Sequence, residues 1–389
     1  MNTKKHFFVL VLFFLFAGNQ IIYGQKSHPF IVTGFWEYMN TTWAPAKTAR
    51  WTNLSGIYNR INIRWNVAKN VDLHAGIRNN FSFGPLMADL YPSYTDELLK
   101  DYGWADMTFS LLNDTSYLLY TNIDRLFIKW NFKKAEITLG RQRINWGQNL
   151  VWNPNDIFNT FNYFDFDYIE HPGSDAFRLQ YYTGTLSSFQ LAIKLNHDKQ
   201  ITAAAMYKFN LYNYDIQVLS GVMEKDWVFG IGWAGQIKGA GFTGEISYFR
   251  NTDRFTDTTG QWIASVGINN TFQNRIYVHG SFIFNSTGTT GPAGMGTFFF
   301  NGYRTPKTLT RSKFDLFGEI SYPITPLMKA DISSIYNPND QSVFVGPSFD
   351  FSLTENLELY TMGQLFFGKS QTEFGDYGQM LYLRLKWSF

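Results

Sequence analysis

The segment QMLYLRLKWSF limits the possible folds of this chain more than any other stretch. Apolar and polar residues alternate in it without a break, which is the period of a β-strand with one apolar and one polar face. The apolar face carries Leu381, Leu383, Leu385, Trp387 and Phe389. A soluble sheet rarely exposes a strand that finishes on Trp-x-Phe, so the segment favours a strand that faces lipid. An edge strand of a soluble sheet is the alternative.

Hydrophobic residues are dispersed through the chain and not gathered into blocks. Aromatic residues make up 19% of the sequence, yet after the first 25 residues no run approaches the roughly 20 apolar residues that a membrane-spanning helix needs. Segments such as GIYNRINIRW and VDLHAGIRNNF repeat the alternation, with their charged residues opposite the aliphatic ones. The pattern predicts an all-β fold, a single transmembrane antiparallel β-barrel. A soluble, secreted all-β protein is the competing class.

The first residues have the layout of a secretory signal peptide. Lys4 and Lys5 precede an apolar stretch over residues 7–17, and the chain turns polar near Lys26. We therefore predict a signal peptide over residues 1–25 and one barrel domain over 26–389. The 33 basic and 31 acidic residues nearly balance, which argues against a nucleic-acid partner. Without cysteine there is no disulfide framework or thiolate metal site, and the sequence predicts no metal and no cofactor.

Short and long connections alternate between the predicted strands, as periplasmic turns and extracellular loops do in outer-membrane barrels. Following this rhythm gives about 18 strands, with 16 as the alternative if one hairpin is miscounted. An even number of strands places both termini in the periplasm. The predicted location is thus the outer membrane of a Gram-negative bacterium, with outer-membrane lipids as partners.

Charged residues on the strands predict two different walls of the lumen. A basic wall is expected from Arg60, Arg64, Arg78, Arg125, Lys129, Arg141, Arg143, Arg178, Lys194, Arg384 and Lys386. An acidic wall is expected from Asp315, Glu319, Asp331, Asp350 and Glu358. Such opposed walls would set a transverse field across a narrow lumen. Pairing of these charges with their neighbours, with no selective role, is the alternative.

The strand that begins EITLGRQRINWG breaks its own alternation. Strict alternation would turn Arg141 and Arg143 towards lipid, where an arginine at mid-depth costs about 2 to 4 kcal/mol. A glycine inside a strand often marks a β-bulge, which reverses the facing of later residues. We therefore predict a bulge at Gly140 that directs both arginines into the lumen.

The residues that follow, near 146–175, are too long and too aromatic for a simple solvated loop. We predict that this loop folds back into the barrel as a constriction. Its expected members are Trp146, Gly147, Asp156, Asp165, Asp167 and Glu170. Their carboxylates would then approach the basic wall, and packing over the barrel rim is the alternative.

Two resemblances accompany these patterns. The final strand resembles the signal by which outer-membrane barrels are recognised for assembly, which implies that Trp387 and Phe389 contact the barrel-assembly machinery. GRQRINWG with NPNDIFN resembles the porin-like barrels of the alginate-export-like group over about 20 residues. That resemblance implies passive passage of anionic or polar solutes through an arginine-lined pore. The acidic wall departs from an exclusively anionic pore.

The sequence thus predicts a porin-like channel for small polar or charged solutes, and no enzyme. Two alternatives stay open: a structural or adhesive barrel with a closed lumen, and an outer-membrane hydrolase. Of the histidines, His74 and His279 sit on strands with lumen-facing parity, and neither has a recognisable triad partner nearby in the sequence. A homotrimer is compatible with the pattern, because a trimer interface would resemble the lipid-facing surface.

Overall fold

The computed structural model describes residues 29–46, 50–161, 163–164, 173–256, 259–294 and 304–389. The predicted signal peptide lies outside these residues. The first strands are β1 (Phe30–Ala44), β2 (Thr52–Ala68), β3 (Val71–Phe83), β4 (Thr108–Asn113), β5 (Tyr117–Asn131) and β6 (Ala135–Gln142). There follow β7 (Ser174–Tyr182), β8 (Ser188–Leu195), β9 (Ile201–Leu211), β10 (Tyr214–Met223), β11 (Asp226–Ile237), β12 (Ala240–Asn251) and β13 (Gln261–Thr271). The last are β14 (Tyr277–Asn285), β15 (Phe314–Thr325), β16 (Met328–Asn337), β17 (Ser342–Thr354), β18 (Leu357–Phe367) and β19 (Gln379–Ser388).

Eighteen of these strands form one closed antiparallel barrel, which confirms the predicted fold class and strand number. Each strand pairs with its sequence neighbour, and β19 pairs with β1 over ten residues, from Phe35 opposite Ser388 to Ala44 opposite Gln379. The strand β4 is additional. It pairs with residues 118–122 of β5, and residues 126–131 of β5 pair with β6. Closure leaves the 18 strands without a free sheet edge.

The connections differ in length between the two ends of the barrel. At one end, called the short-turn end here, two-residue turns join β9 to β10 and β11 to β12, with positive φ at Tyr212, Asn213, Lys238 and Gly239. Positive φ at both central residues is the geometry that matches the twist of a hairpin. Both Phe30 and Phe389 lie at this end, and its placement in the periplasm stays a prediction.

The opposite end, the long-loop end, carries residues 84–116, 143–173, 286–313 and 368–378. The first of these contains α1 (Pro85–Leu90) and α2 (Ser93–Leu99), whose apolar side chains pack with Leu54 and Leu118. A short 3-10 turn at Pro306–Thr308 lies in the third. No helix among the described residues is long and apolar enough to cross a membrane.

The outer surface shows the alternation that the sequence predicted. On β19, Leu381, Leu383, Leu385 and Trp387 are exposed, whereas Arg384 between them is buried inside the barrel. Phe389 closes the seam, because its amide donates to the Gly34 carbonyl at 2.9 Å and its carbonyl accepts from the Gly34 amide at 3.0 Å. Recognition of Trp387 and Phe389 by assembly machinery stays a prediction.

Candidate functional site: the lumen

The loop between β6 and β7 folds into the barrel. We call its described part, residues 143–161 and 163–164, the lumen segment. Trp146, Trp152 and Phe158 are buried to within a few per cent and belong to one apolar core with inward side chains of the wall. The Trp152 ring lies 6.3 Å from Phe317 on β15, and Phe164 lies 4.9 Å from Phe344 on β17. The segment therefore reaches from β7 across to β17.

Small residues on the facing wall make room for this segment. Ala192 and Ala204 on β8 and β9 are buried in the same core. On β11, a Cβ added at Gly230 would stand 2.5 Å from the Asn155 side chain, and one added at Gly232 would stand 2.9 Å from it. Any larger residue at either glycine would collide with Asn155, so these positions admit the segment only as glycine. The small side chains of this wall leave space inside the barrel, and the lumen segment occupies that space.

Glu245 on β12 anchors the middle of the lumen segment. Its carboxylate is fully buried and accepts hydrogen bonds from the backbone amides of Gln148, Asn149 (2.9 Å) and Asn155 (2.8 Å). The Asn149 side chain in turn donates to the Ser265 carbonyl at 3.1 Å. Three backbone donors on one carboxylate fix the path of the segment, because each would be costly to bury unpaired.

Asp156 lies at the inner side of the segment, close to basic residues. It is fully buried, and the Trp146 amide donates to its Oδ1 at 3.4 Å. Burial raises the pKa of Asp156 to about 6, and the charges of Arg143 and Lys194 oppose part of that rise. Lys194 donates to the Phe158 carbonyl at 2.8 Å. The predicted approach of this carboxylate to cations thus occurs inside a packed core. Asp165, Asp167 and Glu170 lie outside the described residues.

The predicted bulge at Gly140 is not present, because β6 pairs with β5 and β7 without a register shift through Arg141. Gly140 instead has φ +118°, and a Cβ there would stand 2.3 Å from the Leu126 carbonyl. Arg141 keeps the outward parity, opposite Leu126 and Asp175. Gln142, which the bulge would have turned outward, donates inward to the Ala176 carbonyl at 3.0 Å.

Arg141 is kept from lipid by the segment that precedes β4. Its guanidinium donates to Asp175 at 2.7 Å, to Asp101 at 2.7 Å and to the Ala105 carbonyl at 2.6 Å. The arginine is almost fully buried. The backbone at Gly103 packs so closely on it that an added Cβ would stand only 2.1 Å from its Nη2. The cost of an outward arginine is therefore offset by two carboxylates from distant parts of the chain. Arg143 lies beyond the strand, near Asp156.

A bulge does occur nearby, on the neighbouring strand. The pairing of β3 with β5 shifts between Gly76 and Ile77, and Asp124 is the extra residue of β5. The shift turns Asp124 into the barrel, where its carboxylate accepts two hydrogen bonds from the Arg60 guanidinium, at 2.5 and 3.0 Å. Both side chains are about 1% exposed. This buried pair is the strongest charge contact of the early strands.

The other early cations lie at inward positions, most of them beside a carboxylate. Glu136 forms salt bridges with Lys129, at 2.5 Å, and with Arg178. Arg78 lies over the Tyr58 ring at 5.8 Å. On β19, Arg384 lies 3.8 Å from Glu37, and Lys386 lies 3.9 Å from Glu358. Local pairing accounts for much of the predicted basic wall.

A cavity of about 450 Å³ opens on the inner face of β1, β2, β3 and β5. We call it the basic cavity. Its lining residues are Ile31, Thr33, Asn62, Ile63, Arg64, His74, Ala75, Arg125 and Phe127. Arg64 is half exposed there, and its nearest carboxylate, Asp72, is 3.8 Å away. His74 stacks on Phe127 with 4.5 Å between ring centroids. The cavity thus combines one half-exposed cation, Arg64, with a flat aromatic surface.

The predicted acidic residues also occupy inward positions, on β15 to β18. Glu319 lies opposite His279 in the ladder, with 3.6 Å between a carboxylate oxygen and Nδ1. Asp331 and Asp350 follow on β16 and β17. Asp315 lies nearer the long-loop end and is almost fully buried. These residues therefore occupy the wall that the sequence assigned to them, and their effect on solutes is a proposal.

Glu37, Asp101, Asp124 and Glu245 are among the carboxylates of the lumen and its rim that sequence reasoning missed. For Glu245 the sequence does hold a signal, because it is the one acidic residue of its strand and shares a face with Thr243 and Ser247. The alternate glycines of VFGIGWAG likewise indicate a wall that something approaches closely. Asp124 had no such signal, since a bulge decides its facing.

Comparisons with known proteins show structures of similar fold and no match in sequence. No family model matches the chain, and no curated protein sequence matches it. Among solved structures, OccAB2 of Acinetobacter baumannii matches with a TM-score of 0.60 and 8% identity, over 92% of this chain and 98% of that one. OprD of Pseudomonas aeruginosa gives 0.58 and 8%, over 94% and 97%, and A. baumannii OccAB3 gives 0.55 and 12%, over 92% and 99%.

At these identities the similarity shows the fold alone, which is a large closed β-barrel like those of OccAB2 and OprD. The fold agrees with the sequence-based prediction. The narrower likeness of GRQRINWG to the alginate-export-like group stays a prediction.

Proposed function

We propose that this outer-membrane barrel is a channel for passive passage of small polar or charged solutes, anions among them. The basic cavity carries the proposal. It is an open space inside the barrel, lined by Arg64, Arg125 and His74. The apolar side chains of the strands face the lipid on the outside of the barrel. Its volume suits a small solute, since ligand sites commonly measure about 300 to 1,000 Å³. The proposal contains no catalytic step.

Solute flow in this proposal is driven by its own gradient. The lumen segment fills the space along β7 to β17, so the route follows the opposite wall, past the basic cavity. A cleft lined by one sign of charge within low-dielectric walls concentrates solutes of the opposite sign. Arg64 supplies that charge at the short-turn side, because its contact with Asp72 is long and solvent-exposed.

Planar-bilayer recording of the purified protein tests both parts. The inserted wild-type protein should conduct, and its reversal potential in a salt gradient should report anion preference. Arg64→Glu should move the reversal potential towards cation preference, because it replaces a cation of the cavity by an anion. The matched control is Arg50→Glu, on an exposed arginine outside the cavity whose nearest carboxylate, Asp89, is 3.9 Å away.

The two failures are distinguishable. Correctly inserted wild-type protein that never conducts overturns the channel. A conducting Arg64→Glu variant with the wild-type reversal potential, or an equal shift for Arg50→Glu, overturns only the role of the basic cavity.

One observation favours a second candidate, a structural or adhesive barrel with a closed lumen. The lumen segment packs like a protein core, with Trp146 and Phe158 in edge-to-face contact at 4.8 Å and Glu245 holding its backbone. A barrel sealed in this way would present only its loops for binding. Absence of conductance together with binding of the intact protein to a cell surface would support it.

A further inference from the structure

Three loops of the long-loop end meet at a group of three carboxylates, of which Asp315 is buried and the other two are partly exposed. Asp315 begins β15 directly after the loop over 286–313, Asp340 lies in the turn between β16 and β17, and Glu373 lies in the loop over 368–378. Asp315 is 2% exposed, and one of its oxygens, Oδ1, has no hydrogen-bond donor among the described residues. We call Asp315, Asp340 and Glu373 the carboxylate cluster.

Glu373 is the centre of the cluster. Its Oε2 accepts from the Ser312 hydroxyl and from the Asn337 amide, each at 2.9 Å. Its own backbone amide donates to Asp340 at 2.7 Å. The neutral donors come from the loop over 286–313 and from the end of β16, so Glu373 ties its own loop to two others.

The Glu373 and Asp315 carboxyl groups are linked through two neighbouring hydroxyl residues. Ser312 donates to Glu373 at 2.9 Å, while Thr310 donates to Asp315 and accepts from the Ser312 amide at 3.0 Å. The two carboxyl groups interact electrostatically. The charged groups that face Glu373 are Asp315 on β15 and Asp340 in the β16–β17 turn, both acidic. Among the described residues, no lysine, arginine or histidine forms a salt bridge with any member of the cluster. Two neighbouring carboxylates without a cationic side chain paired to them repel each other, and this repulsion raises the pKa of one of the two.

We propose that Asp315 and Glu373 share one proton, and that this proton latches the loop over 368–378 onto the long-loop end of the barrel. When solvent base removes the proton, both groups carry charge, and repulsion within the cluster releases the loop. Burial raises the pKa of Glu373, so the latch is closed at low pH and opens as pH rises through that raised value.

Release of this loop would reach the lumen segment. Phe374 and Tyr377 on the loop are buried, and the Phe374 ring lies 6.3 Å from Phe164 of the lumen segment. The Tyr377 ring lies 5.0 Å from the ring of Phe366 on β18, tilted relative to it. Loss of the latch would therefore remove one side of the packing that holds the distal part of the lumen segment. The inference does not depend on the channel function.

Hydrogen exchange read by mass spectrometry tests the latch on the full-length protein in lipid nanodiscs. After correction for the intrinsic pH effect, exchange of the 368–378 amides should rise about tenfold or more from pH 4 to pH 9. A tenfold change in the opening equilibrium is what a difference of one pKa unit between the latched and the released carboxyl pair produces. Amides of β15 and β18 should stay protected.

Glu373→Gln separates the proton from the fold. The glutamine is isosteric with the protonated acid, since its amide can donate to Asp315 and its oxygen can accept from Ser312 and Asn337. It should keep the loop protected at both pH values. Asp315→Asn offers the same test from the other side if the first variant fails to fold. The control is Asp376→Asn in the same loop, which leaves the pair intact and should keep the pH response.

Three results overturn the latch. The first is a wild-type loop whose corrected exchange does not change with pH. The second is a Glu373→Gln variant that keeps the wild-type pH response. The third is protection that EDTA abolishes at pH 6, because a divalent cation and not a proton would then bridge the carboxylates.

Discussion

The two halves of the inner wall differ in what occupies the space beside them. Along β1 to β5 the inward side chains are large and charged, they pair with one another, and they leave the basic cavity open. Along β7 to β12 several inward side chains are small, as at Ala192, Ala204 and Gly230, and the chain itself fills the space beside them. Both halves show the same alternation on their outer face.

The contrast teaches that alternation fixes which way a side chain faces, while its size and charge fix what the lumen contains. A charged wall must stay near water or be paired, because an isolated buried ion is costly. A wall of alanine and glycine would leave a void, and the lumen segment fills it as the core of a soluble protein would. The lumen is therefore divided into a polar half and a packed half.

The largest expected effect lies in the polar half. Arg60→Ala removes the two short hydrogen bonds of the buried Asp124 and leaves its 4.0 Å contact with Arg125. Breaking a buried pair in this way costs about 3 to 5 kcal/mol of unfolding free energy. The matched control is Arg64→Ala on the same strand, whose exposed 3.8 Å contact with Asp72 should be worth at most about 1 kcal/mol. Denaturant unfolding from lipid vesicles measures both. Equal losses for the two variants would show that pairing does not hold the polar half together.

The next effect probes the packed half. Phe158→Ala removes a ring that is 1% exposed, and such truncations cost about 3 to 5 kcal/mol in a well-packed core. The loss should fall on the lumen segment and leave the barrel folded, so amides of 143–161 should exchange faster while those of β8 stay protected. Leu150→Ala in the same segment is the control, because that side chain is 54% exposed and should matter by less than about 0.5 kcal/mol. A segment unaffected by Phe158→Ala would contradict its core-like packing.

The smallest effect concerns the charge inside the packed half. The pKa of Asp156 is raised from 3.8 to about 6, so the folded segment binds more protons than the released one between those values. Stability of the segment should therefore fall as pH rises from about 4 to 6, by up to about 3 kcal/mol, and stay level above that range. Asp156→Asn should flatten this dependence in hydrogen exchange of residues 143–161. A variant that keeps the wild-type slope would assign the titration to another group.

Much of the fold could be predicted from the sequence. The strict alternation of QMLYLRLKWSF, and its repeats upstream, gave the barrel class, the lipid face of β19 and about 18 strands. The barrel class and the strand number could be predicted because they rest on local periodicity and on the length of connections, both of which are visible in one dimension. The long aromatic stretch after Trp146 predicts an inward-folding loop, and the described residues of that loop pack with inward side chains of the wall.

The register around Gly140 could not be predicted. A bulge there and an outward arginine satisfied by carboxylates are both acceptable locally, and the choice depends on Asp101 and Asp175 arriving from elsewhere. The true bulge at Asp124 is likewise stabilised by Arg60, which is 64 residues away in the chain. Register is decided by such partners because a shift of one residue exchanges the two faces of a strand.

The sequence by itself determined that this chain forms a barrel and, away from the irregular stretches at Gly140 and Asp124, which strand positions point inward. Only the tertiary structure decided which inward charges are neutralised, which wall the lumen segment covers, and that Glu245 and Glu373 hold its loops. Facing follows from a two-residue period of the backbone. Pairing and packing follow from distances between residues far apart in the chain, and no local pattern encodes those distances.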